Sequence, residues 1–116
     1  MQQEKLNEIK NEVQKILDRH LEPEQRFSVQ DLDEESIFLL ISLLLEKDDL
    51  EREKIWAAIE ERTLIKQIDL RVNVESIKAI KDKINYQKIS NRDVNELQEI
   101  INTEKDLDEK LDEIFN

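Results

Sequence analysis

The sequence predicts an all-α protein, a small bundle of four to five helices around a central apolar helix at residues 32–47. Three observations carry that expectation. The 116-residue chain has no glycine and one proline, Pro23, so it lacks the residues that tight β-hairpin turns demand. Apolar residues recur at alternating spacings of three and four, the signature of one helix face. The stretch Ser36–Leu45, Ser-Ile-Phe-Leu-Leu-Ile-Ser-Leu-Leu-Leu, is apolar on every side of a helix, so other elements must surround it.

Residues 2–21 form the first amphipathic pattern. Leu6, Ile9, Val13, Ile16 and His20 share one stripe, widened by Leu17 and Leu21, with Glu4, Glu8, Lys10, Lys15 and Asp18 away from it. The same pattern fits a coiled-coil register, so this helix is one candidate surface for a homodimer. Pro23 then ends the helix, since proline disfavours helix at the preceding residue and lacks a donor. Phe27-Ser28-Val29-Gln30 alternates apolar and polar and is expected to run extended, with Phe27 and Val29 as plugs.

Asp31, Asp33, Glu34 and Glu35 precede the central run, and acids suit a helix first turn, where backbone N–H groups lack partners. Leucine dominates the run, and leucine favours helix over strand. A bilayer span takes ~20 apolar residues, and this run stops well short of that. Asp48 or Asp49 can cap the next helix, where Ile55, Trp56, Ile59, Thr63 and then Ile65 or Lys66 follow helical spacing. Trp56 is its largest burial candidate.

Residues 65–77 are ambiguous. Ile68, Leu70, Val72 and Val74 alternate with polar residues, a period of two, while Leu64 or Ile65, Ile68, Val72 and Ile77 keep helical spacing. The reading adopted is a helix ending near Ile68, an irregular or extended piece at 68–73, and a new helix Val74–Asn85 capped by Asn73. Asn85–Lys88 forms a turn. Ser90 with Asp93 three residues on resembles a capping box. The stripe from Val94 through Leu97, Ile100, Leu107, Leu111 and Ile114 follows, as one helix or as two with a restart at Thr103. This last helix is the second candidate dimer surface. Core residues are expected at Leu6, Ile9, Val13, Ile16, Ile37, Leu40, Ile41, Leu44, Ile55, Trp56, Ile59, Ile77, Ile80, Ile84, Leu97 and Ile101. Length fits one domain over 1–116, with 103–116 as an acidic C-terminal helical extension.

Charge is unevenly spread around a net −11. Residues 21–60 carry twelve acids and four bases, 61–90 four acids and seven bases, and 91–116 nine acids and three bases. Without cysteine there is no disulfide or thiolate metal site, which fits the cytoplasm. The start, Met-Gln-Gln-Glu-Lys, has no basic region followed by an apolar stretch, so no signal peptide is expected.

Catalytic equipment is sparse. Phosphate-cradling loops need glycine for close backbone approach, and the single histidine, His20, falls at a helix C-terminus that welcomes its cation. The paired Glu-x-x-His of a carboxylate-bridged metal bundle is absent. No enzyme, cofactor or metal is therefore expected. The sequence points instead to a non-catalytic protein–protein interaction module, an adaptor, inhibitor or immunity-type binder acting through acidic helical faces. Asp31, Asp33, Glu34 and Glu35 form one candidate contact set, and Asp106, Asp108 and Asp112 another. The alternative is a nucleic-acid-associated regulator using the basic segment 66–88, with contacts from Lys78, Lys81, Lys83 and Lys88. In a helix-turn-helix arrangement its second helix would carry Asp93, Glu96 and Glu99 against Arg92, the wrong sign for a groove reader.

Overall fold

The computed structural model describes residues 3–66 and 69–102, with side chains described over 3–61 and 74–102. Among these residues it is all-helical. Five α-helices follow in order: α1 (Gln3–His20), α2 (Glu34–Leu45), α3 (Asp49–Lys66), α4 (Asp69–Lys83) and α5 (Asn91–Asn102). Two short 3-10 turns, Pro23–Gln25 and Tyr86–Lys88, sit in the connections.

The apolar run is the axis of the bundle. α2 packs against each of the other four helices, and Ser36 through Leu44 are all buried. Asp33 caps it, its Oδ1 accepting from the Ser36 N–H at 2.8 Å, which satisfies a donor the helix itself cannot reach. Every core residue expected from the sequence is buried, joined by Leu17, Leu21, Val29, Leu32, Phe38, Leu39, Leu43 and Val74.

α3 begins on Asp48, whose side chain accepts from the Leu50 N–H at 2.8 Å. α5 begins on the reciprocal bonds of a capping box. The Asp93 N–H donates to Ser90 Oγ at 3.2 Å, and the Ser90 N–H donates to Asp93 Oδ2 at 3.4 Å. The Asn85 side chain accepts from the Gln87 N–H and sets the turn between α4 and α5.

Phe27–Val29 lies outside any helix, and its backbone finds an unusual partner. The Gln14 side chain donates to the Phe27 carbonyl at 2.7 Å and accepts from the Val29 N–H at 2.9 Å. One amide thus supplies the donor and acceptor that a neighbouring strand would offer. Lys10 extends the clasp, donating to the Gln30 carbonyl at 2.9 Å. That contact corrects the placing of Lys10 on the solvated side of α1: it is 5% exposed, because its ammonium meets the backbone of the strap.

The extended piece near 68–73 is also corrected. Residues 69–73 belong to α4, which starts at Asp69 rather than after a cap at Asn73 and stops at Lys83 rather than Asn85. An extended segment needs a ladder to satisfy its N–H and C=O groups, whereas a helix satisfies them internally. The strap at 27–30 is already bonded to side chains of α1 and offers no edge. Residues 67 and 68 and the acidic extension 103–116 lie outside the described residues, and with them the expected restart at Thr103.

Candidate functional site

The polar centre of the bundle is Asp93, whose side chain is 3% exposed. Arg19, at the end of α1, donates to Asp93 Oδ1 at 2.5 Å. His20, the next residue, places Nε2 2.6 Å from Oδ2. Ser90 Oγ donates to the same Oδ2 at 2.8 Å. Arg19 also reaches Glu96 at 3.2 Å, and Arg92 meets Glu96 from along α5. Burial pushes the Asp93 carboxyl up, but hydrogen bonds from Ser90 and His20, with the His20 charge beside it, outweigh that and hold it below the usual carboxylate range.

Serine, histidine and aspartate in one cluster invite comparison with a nucleophilic triad. The geometry differs in the decisive contact. In a triad the imidazole lies between the acid and the serine and takes the serine proton. Here His20 and Ser90 both donate to one carboxylate oxygen, and an ionised carboxylate only accepts. The His20 Nε2 proton and the Ser90 hydroxyl proton are both spent on Asp93. The cluster fastens the C-terminus of α1 to the N-terminus of α5.

The acidic residues expected at a partner surface divide by use. Asp31 is exposed. Asp33 is exposed but holds the α2 cap. Glu34 and Glu35 are half-buried and engaged in interactions of their own. Asp106, Asp108 and Asp112 lie outside the described residues.

The four lysines do not form one surface. Lys81 turns toward α3, its ammonium 4.9 Å from the Trp56 ring and 3.5 Å from Glu53. Lys83 lies over the Phe27 ring at 5.6 Å, on the strap side. Two residues along a helix turn the side chain by roughly 160–200°, so these cations point to opposite flanks. Lys78 and Lys88 are exposed, on α4 and on the turn after it.

Sequence reasoning missed Leu50, which is 62% exposed. It stands in the first turn of α3 between Asp48, Asp49, Glu51 and Glu53, three of them exposed. The signal was its phase. At ~100° per residue, Leu50 lies about 180° from Ile59, on the face opposite the core. Nearby, Arg52 bonds the Glu46 carbonyl and the Asp49 carboxylate and stacks over the Tyr86 ring at 4.4 Å. That clamp fixes the α2–α3 corner on which Leu50 is carried.

Among the described residues no helix is long and apolar enough to cross a membrane, and no group of acids, histidine or cysteine is placed to hold a metal ion. No protein-family model, curated protein or solved structure matches this chain.

Proposed function

We propose that this chain is a cytoplasmic, non-catalytic module that binds another protein through its acidic helical surface. The observation that carries the reading is Leu50, a large apolar side chain presented to solvent inside an acidic rim. Interfaces draw most of their energy from a few side chains seated in pockets of the partner, and the rim around them excludes water. A single exposed leucine is common on protein surfaces. This one is distinguished by the charge around it and by a corner held rigid through Arg52. Rigidity lowers the ordering cost of association. The partner surface that complements it is basic, with an apolar recess for Leu50. Asp31, at the opposite end of α2, offers a second acidic contact.

The test is capture of a partner from the source cell's lysate by wild-type protein and by two variants. Leu50→Ala should weaken binding about tenfold, the size expected for an interface anchor, while leaving the melting temperature unchanged. Asp31→Lys should weaken binding by less, through loss of charge complementarity. Bait recovered alone, or full affinity in both variants, would remove this reading. Nucleic acid recovered and then lost at high salt would favour Lys78, Lys81, Lys83 and Lys88 instead.

A further inference from the structure

Leu50 is the one exposed large hydrophobic among the described residues. Elsewhere, between the strap and α4, lies a hollow of about 180 Å³ lined by Phe27, Ser28, Ser76, Ala79, Ile80 and Lys83. α4 separates the two features. Its Lys81 reaches Glu53 and Trp56 on α3, whereas its Lys83 lies over the Phe27 ring of the strap. Leu50 of one copy therefore cannot enter that copy's own hollow. Knob and hollow nevertheless match in size and in charge. An apolar cavity of ~150 Å³ takes a benzene molecule, so there is room for a leucine side chain beside Phe27 and the buried Ile80. The lining carries one charge, the Lys83 ammonium, and no carboxylate, in a chain with 29 acidic and 18 basic residues. Lys83 has no carboxylate partner among the described residues. Beside Leu50, the exposed Asp48 likewise meets no cation among them, and its side chain accepts from the Leu50 N–H. The other rim acids are engaged within the chain, Asp49 by Arg52, Glu51 by Lys54 and Glu53 by Lys81.

We propose that the hollow between the strap and α4 receives Leu50 of a second copy of this chain, with Asp48 of that copy set against Lys83. Each copy then offers one knob and one hollow on different faces, so the contact is heterologous and runs head to tail. Exposed Glu75 and Asp82 are the nearest opposing charges on α4, about 100° around the helix from the residues that line the hollow. The net charge of −11 on both copies also resists approach. One anchor against that repulsion gives a weak, concentration-dependent contact. The inference rests on the reading of Leu50 as an interface anchor and adds the surface that receives it.

The experiment is a concentration series of amide and methyl NMR spectra on the purified protein, in about 0.15 M salt, where repulsion between copies is screened beyond ~8 Å. Wild type should self-associate with a Kd on the order of 0.1–1 mM, with concentration-dependent shifts at Leu50 and its neighbours and at Phe27, Ala79 and Ile80. Leu50→Ala removes the knob. Ala79→Glu places a carboxylate in the hollow four residues before Lys83, a pairing that also supports the helix. Each variant should weaken association about tenfold or more with the melting temperature unchanged. Mixing separates a matched pair of surfaces from two unrelated lesions. Unlabelled Ala79→Glu still presents Leu50, and labelled Leu50→Ala still presents the hollow. Adding the first to the second should restore the shifts at Ala79 and Ile80. Spectra independent of concentration, shifts confined to other surfaces, or a silent mixture would overturn the proposal. Those outcomes leave capture of another protein by Leu50 standing, because that is read from lysate and this from the purified chain.

Discussion

On α2 nine consecutive residues, Ser36 to Leu44, are buried, whereas the joint between the end of α1 and the start of α5 is built around a buried carboxylate. The α2 run and the Asp93 carboxylate are both hidden from water, and they are held by different physics. α2 is held by non-directional burial, worth ~25 cal/mol per Å² of apolar surface and nearly indifferent to pH and salt. Asp93 is held by directional bonds, and its desolvation cost is recovered only while each partner stays in place. The bundle therefore has an axis that tolerates conditions and a fastening that responds to them.

The sharpest way to break the comparison is to exchange the physics. Leu40→Asp places an unpaired charge at a site with 0% exposure, at a cost of several kcal/mol or more. Cooperative thermal unfolding should disappear from the circular dichroism melt. A variant that keeps full helicity and melting temperature would remove α2 from the centre.

At the joint the effect should be smaller, because the partners can recover water. Asp93→Ala leaves Arg19, whose side chain is already 40% exposed, free to hydrate, while His20 and Ser90 lose their acceptor. About 1–3 kcal/mol is expected from urea unfolding at neutral pH. The pH dependence has a definite sign. The folded carboxyl sits below its ordinary value of 3.8, so between the two values the unfolded chain binds more protons. The stability Asp93 contributes is complete above that value and is lost as pH falls through the window below it. In Asp93→Asn that part of the stability curve should flatten. An unchanged acid limb would mean that other carboxylates govern acid unfolding.

The same contrast explains what the sequence made legible. Apolar periodicity is local, so the axis, the flanking stripes and the whole expected core could be read from neighbours three and four residues apart. The Ser90–Asp93 start was legible for the same reason. The joint was not. His20 and Asp93 are 73 residues apart in sequence, and no local pattern announces that a helix C-terminus will meet a capping-box acid. Lys10 and Gln14 were hidden because polar residues beside a core stripe look like ordinary surface until a strap lies across them. Residues 69–73 misled because their alternation satisfies a strand pattern, while the pairing a strand needs is a tertiary fact. Leu50 was legible in its phase and was passed over as one more leucine.

The smallest effect belongs to the Gln14 clasp, which combines the two regimes, since a polar side chain there supports a buried apolar one. Val29 has 0% exposure, and its N–H depends on Gln14 Oε1. Gln14→Ala removes both bonds to the strap and should cost about 1–2 kcal/mol, since each is worth roughly 1 kcal/mol net. Gln14→Glu keeps an acceptor for the Val29 N–H but loses the donor to the Phe27 carbonyl, so it should fall between wild type and alanine. Hydrogen exchange at the Val29 amide separates the contributions. If the clasp holds the strap, exchange quickens in Gln14→Ala and stays slow in Gln14→Glu. If burial of Val29 holds it, both variants exchange as slowly as wild type, and the strap belongs with α2 on the side of non-directional burial.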